Sequence, residues 1–132
     1  MKIRATVGII AVAMSFAPAV SFADGISAVR PAPGLACMSL DSQAMQATQQ
    51  SELPPVLAAP SPTATRLGYP TEIVFVTWPL VERNGYVEME RMNGQVGWIA
   101  SNRLQPWRPL NGGNAKCVPS VMSNGRLGTS IH

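Results

Sequence analysis

The chain has 132 residues, ten Lys and Arg against seven Asp and Glu, 46% hydrophobic residues and 13% charged ones, which limits it to one domain and excludes a large multidomain enzyme. Its 12 Pro and 11 Gly favour turns and short strands and argue against a bundle of long helices. The formal charge of +3 is no nucleic-acid signature, because two of the positive charges belong to a leader segment.

Residues 1–23 read as a secretory signal peptide. Lys2 and Arg4 form a positive start, Val7 to Phe16 is an uncharged apolar run, and Pro18 breaks it before Ser21-Phe22-Ala23. The run is shorter than the about 20 residues a bilayer span takes, and no second hydrophobic run follows. The expectation is a mature chain starting at Asp24, with no membrane span, that is periplasmic or secreted. Its charge is then close to neutral, with eight basic residues against seven acidic.

Export implies an oxidising compartment, and the chain holds two cysteines, Cys37 and Cys117. They are too far apart for the Cys-x-x-Cys spacing of redox or metal pairs, so the reading is one structural disulfide. Closing a loop of roughly 80 residues is worth about 4–5 kcal/mol in the chain-entropy picture.

Residues 24–53 mix Pro, Ala, Ser and Gln without a period that commits a strand or long helix, and read as an irregular N-terminal extension. Pro54-Pro55 punctuates the chain, and the compact domain is assigned to 54–108. Ile73 to Thr77 is a β-branched and aromatic run between Pro70 and Trp78-Pro79, the pattern of a central strand. Tyr86 to Arg91 alternates, placing Val87 and Met89 on a core face and Glu88 and Glu90 on a wet one. Asn93-Gly94 predicts a two-residue type I′ hairpin turn flanked by Met92 and Gln95, with Gln95 to Ile99 as the returning strand. Residues 109–132 read as a C-terminal extension, with Asn111-Gly112-Gly113-Asn114 a turn lacking the Lys-Ser/Thr of a phosphate loop.

The stretch Gly85-Tyr86-Val87-Glu88-Met89-Glu90-Arg91-Met92-Asn93-Gly94-Gln95-Val96-Gly97-Trp98-Ile99 resembles the last hairpin of the bacterial SH3 (SH3b) family. That family's pattern is Gly-Trp, an alternating strand, Asn-Gly, then Gly-Trp-Val or Gly-Trp-Ile; Tyr86 stands where Trp is usual. Val56-Leu57, Arg66-Leu67-Gly68 and the Ile73 to Thr77 run fall in the order of the family's earlier strands. The resemblance implies an all-β fold, a small SH3-like barrel flanked by the two extensions, and a non-enzymatic module of the cell envelope that binds peptide segments or cell-wall peptides. Short strands within about 55 residues can close a small barrel and remove most free edges.

Residues suited to catalysis are scarce. The single histidine, His132, ends the chain, where a general base is expected to fray, so no Ser-His-Asp or Cys-His site is assigned. Glu88 and Glu90 read as the solvated side of a strand, and Met38, Met45, Met89, Met92 and Met122 as gap-fillers, so no catalytic residue, metal or cofactor is expected. Arg103, Arg108, Lys116 and Arg126 read as ordinary solvated surface. Aromatics offer the positive signal. Trp98, beside Gly97, is assigned to the core, while Tyr69, Trp78, Tyr86 and Trp107 are candidate ligand-binding residues of an aromatic groove, with simple packing as the other reading. The expected partner is a peptide or cell-wall component and no nucleic acid. The alternative is a structural or assembly role in which the extensions contact another exported protein.

Overall fold

The computed structural model describes residues 25–132. The expected leader and its cleavage site lie outside the described residues.

Among the described residues the chain forms short strands, one four-residue helix and two 3-10 turns. A small antiparallel sheet is ordered β1 (Ala28–Pro31), β10 (Cys117–Met122), β11 (Leu127–Ile131). The larger antiparallel sheet contains β2 (Leu35–Leu40), β3 (Val56–Leu57), β4 (Arg66–Gly68), β5 (Ile73–Thr77), β6 (Glu82–Arg83), β7 (Tyr86–Glu90), β8 (Val96–Ala100) and β9 (Leu104–Pro106). Its order is β4-β3-β8-β7-β5-β2-β9, with β6 beside β7. The all-β expectation holds. Among the described residues a closed barrel does not form: the hydrogen-bonded path ends at β4 on one side and β9 on the other.

The extensions are not irregular as expected. The N-terminal one supplies β1 and β2, the C-terminal one β10 and β11, and β2 lies between β5 and β9 inside the larger sheet. The physical reason is that β2 is covered on both faces. Ala36, Met38 and Leu40 meet the main core, while Leu35 and Cys37 meet a second cluster on the opposite side. A strand buried twice shows no alternation of apolar and polar residues, so its sequence carries no period to read. In β10, Pro119 has no N–H to donate, but its carbonyl accepts from the Ala32 N–H at 2.8 Å.

β5 has the same two-sided burial. Val74 and Val76 join Leu40, Ala44, Val56, Val87, Met89 and Ile99 in the main core. Phe75 and Ile73 face the cluster built with Ala32, Leu127, Leu35 and Val121 between the two sheets. Each fully buried aliphatic side chain contributes about 1.5–3 kcal/mol relative to exposure. Cys37 of β2 is bonded to Cys117 of β10, with Cα atoms 6.1 Å apart, so the expected disulfide ties the two sheets together. β7 shows the expected alternation, with Val87 and Met89 buried and Glu88 and Glu90 half-exposed. Trp98 is buried, at 9% exposure, yet on the face opposite the main core: it pairs across the sheet with Glu88 and Leu57, while its neighbour Ile99 is fully buried inside.

The β7–β8 hairpin forms where expected, but its turn is not type I′. Arg91 pairs with Gln95, the Gly94 N–H donates to the Arg91 carbonyl at 2.8 Å, and of the central dipeptide only Gly94 has positive φ, at 86°. This is a three-residue loop with glycine in the left-handed position. The two-residue turn with both centres at positive φ is formed instead by Asn84 (52°) and Gly85 (81°), between the paired residues Arg83 and Tyr86.

Candidate functional site

Between β2 and β5 the chain makes a long excursion over residues 41–72. It begins with α1 (Ser42–Met45), continues through a 3-10 turn at Gln50–Glu52, and returns as β3 and β4. Asp41 anchors its start. One carboxylate oxygen, Oδ1, caps α1 by accepting from the Ala44 N–H at 2.7 Å, and the other, Oδ2, accepts from Arg103 Nε at 2.7 Å. The Asp41 N–H also donates to the Arg103 carbonyl at 2.8 Å. The Arg103 hydrogen bond holds the Asp41 carboxyl below the usual carboxylate range; burial opposes this, and the Ala44 N–H reinforces it. Arg103 closes the 3-10 turn Ser101–Arg103 between β8 and β9. It is therefore fixed in place across 62 residues of sequence, rather than being ordinary solvated surface.

This clamp brings the excursion against the start of β7 and the end of β8, and a cleft of about 360 Å³ opens between them. Pro54, Pro55 and Pro62 come from the excursion, Arg66 from β4, Tyr86 from the first position of β7, and Asn102 and Arg103 from the 3-10 turn. Tyr86 is held by local geometry. It directly follows the Asn84-Gly85 turn, and the Gly85 carbonyl accepts from both the Ser101 N–H at 2.9 Å and the Ser101 hydroxyl at 3.0 Å. On the β8 side its cross-strand partner is Ala100, whose single methyl leaves the ring without a large neighbour there, and on the other side it pairs with Arg83 of β6. The half-buried ring, with prolines around it, is suited to pack against an extended chain; the arginines supply positive charge and N–H donors.

The four candidate aromatics do not share one groove. Tyr69 lines a cleft of about 120 Å³ with Met92, Arg91 and Arg126. Trp107 lines another of about 430 Å³ with Met45, Leu110 and Ile131. Trp78 lines none of these three clefts and is 59% exposed. Arg66, Arg103 and the proline ledge around Tyr86 were not assigned to a site from sequence. Pro54-Pro55 was the available signal, legible as punctuation but not as a wall.

Other candidates fall into place locally. Glu88 accepts from the Thr77 hydroxyl at 2.8 Å. His132 is not frayed: its backbone N–H and carbonyl both pair with Lys116, and its ring Nδ1 lies 3.0 Å from the Ser130 hydroxyl. Among the described residues no group of three or more His, Cys, Asp and Glu is arranged to hold a metal ion, and no helix is long and apolar enough to cross a membrane.

Comparison with known proteins brings no relative to bear on this site: no family profile, curated protein or solved structure matches the chain.

Proposed function

We propose that the protein is an exported, non-enzymatic SH3b-like binding module of the cell envelope, and that it holds an extended peptide segment, such as a cell-wall peptide, in the cleft beside Tyr86. The observation that carries this reading is that cleft: an aromatic ring flanked by three prolines, with two arginines and no acidic residue on its lining. Such a surface matches the way aromatic-lined grooves take extended chains, through ring contact and a few polar groups rather than chemistry on a bond.

The SH3-like assignment draws support from the hairpin that carries the resemblance, β7–β8, and from Val56-Leu57, Arg66–Gly68 and Ile73–Thr77, which are β3, β4 and β5 of the same sheet. The sheet is open, so the reading is of a curled, SH3-like sheet backed by a second small one. Export is supported by the Cys37–Cys117 disulfide, a bond that persists in oxidising compartments.

The test is retention of the purified protein on isolated cell-wall sacculi. Tyr86→Ala is expected to weaken retention more than tenfold, as loss of an aromatic anchor at an interface does, while Trp107→Ala, in a separate cleft, retains binding. A folded Tyr86→Ala protein retained as strongly as the parent would overturn the assignment of this cleft.

The second reading, an assembly partner of another exported protein, rests on exposed apolar side chains carried by the extensions: Ile26 before β1, Val29 on β1, Leu110, and Ile131 on β11. Stoichiometric co-purification of one exported protein, lost on Val29→Asp or Ile131→Asp, distinguishes it.

A further inference from the structure

We infer that the ligand of the Tyr86 cleft presents a carboxylate, and that Arg66 receives it. This rests on the reading of the cleft as a peptide site and adds the chemistry of the group the peptide must carry.

The argument is one of unmatched charge. Arg66 stands exposed at the cleft on β4, with no ion-pair partner among the described residues. Arg103, on the 3-10 turn, lines the same cleft. Its charge is met in part by Asp41, but only through Nε; among the described residues its terminal nitrogens have no acceptor, and Nη2 is shut away from solvent. A buried guanidinium nitrogen without an acceptor is uncommon in a folded protein. The remaining polar groups of the lining, the Asn102 side chain and the Tyr86 hydroxyl, can donate, and no Asp or Glu lines the cleft. The complementary ligand group is therefore an anion, and on an extended peptide that group is a carboxylate. Arginine's fork suits a carboxylate, whose two oxygens it can engage together. The prolines and the Tyr86 ring would meet the apolar part of the same chain.

The experiment uses the purified protein with its disulfide intact and two synthetic probes that differ in one group: acetyl-Ala-Pro-Ala-Ala with a free C-terminal carboxylate, and the same peptide as its carboxamide. Binding is followed by chemical-shift changes at the Tyr86, Asn102 and Arg103 amides. The carboxylate peptide is expected to bind about tenfold more tightly, a difference of about 1.4 kcal/mol, with the advantage shrinking as salt is raised. Arg66→Gln should bring the affinity of the carboxylate peptide down to that of the carboxamide. Equal affinities for the two probes, with the cleft amides shifting, would overturn the carboxylate inference and leave the peptide-site reading standing. Failure of both probes to shift those amides at millimolar concentration would overturn both readings.

Discussion

Removing the disulfide should loosen the small sheet before the large one. The bridge spans 80 residues and joins β2, one strand in from the β9 edge of the larger sheet, to β10, the central strand of the smaller. In the chain-entropy account a loop of this length contributes about 4–5 kcal/mol, and removals from small secreted domains cost about 2–5 kcal/mol. For a folded unit the size of residues 25–132, the entropy of unfolding at the midpoint is about 0.2 kcal/mol/K, so Cys37→Ala/Cys117→Ala should lower Tm by about 10–20 °C. The structure adds where that loss appears. Apart from the bridge, the smaller sheet is held by a modest intersheet cluster centred on Ala32, Phe75 and Leu127 and by hydrogen bonds such as Ala32 N–H to the Pro119 carbonyl and Leu127 N–H to the Met92 carbonyl. Calorimetry gives the shift, and amide hydrogen exchange gives its location. The Ala32, Met122 and Leu127 amides should lose protection first, while Leu40 and Asp41, bonded to the Glu72 and Arg103 carbonyls in the larger sheet's surroundings, keep theirs. A Tm within about 2 °C of the parent, or equal loss of protection in both groups of amides, would refute the argument.

Three further outcomes follow from the packing. A methyl at Gly97 would sit 2.5 Å from Val56 Cγ1 and 3.3 Å from the Leu57 carbonyl, and Val56 is fully buried with nowhere to move; Gly97→Ala should cost about 1–3 kcal/mol in urea denaturation, and an unchanged midpoint would contradict this contact. Gly94→Val should destabilise by a similar about 1–3 kcal/mol, but from backbone strain at φ 86° alone, since the nearest atom a Cβ would meet is Glu90 Oε1 at 3.9 Å; Gly94→Asn, which tolerates that region, should recover much of the loss in the same assay. Asp41 has a folded pKa below its unfolded value, so its contribution to stability is complete above about pH 4 and is lost as pH falls through the folded pKa. Asp41→Asn should therefore lower stability at neutral pH and lessen the decline between about pH 4 and pH 2, and a variant with the parent's pH profile would show that the Arg103 contact contributes nothing.

Those features that depend on a few neighbouring residues were legible in the chain itself. β5 and β7 announce themselves, one as an apolar β-branched run and the other by alternation, because a strand with one wet face must alternate and a doubly buried β-branched strand need not. Two cysteines leave one intramolecular pairing, and the structure has it. Turn type was not legible. The chain contains Asn-Gly at 84, 93, 111 and 124; at the first, both residues have positive φ, whereas at the other three only the glycine does. In those three the Asn side chain accepts the N–H two residues on, from Gln95, Gly113 and Arg126. The dipeptide permits either turn, and the hydrogen-bonded register of the flanking segments selects one.

Tertiary structure alone decided the rest. β2 is apolar toward both faces, so its membership of the larger sheet appears only once the core on one side and the intersheet cluster on the other are assembled around it. The cleft depends on the same kind of distant pairing. Tyr86 could be picked out as an aromatic at a strand start, but its proline ledge comes from the excursion after β2, and Arg103 is turned into that surrounding by Asp41, 62 residues away in sequence. Local sequence encodes φ/ψ preference and the period of burial. Which arginine finds which carboxylate, and which aromatic is left uncovered, is set by contacts between segments far apart in the chain, whose free energy exists only when the sheets have closed on each other.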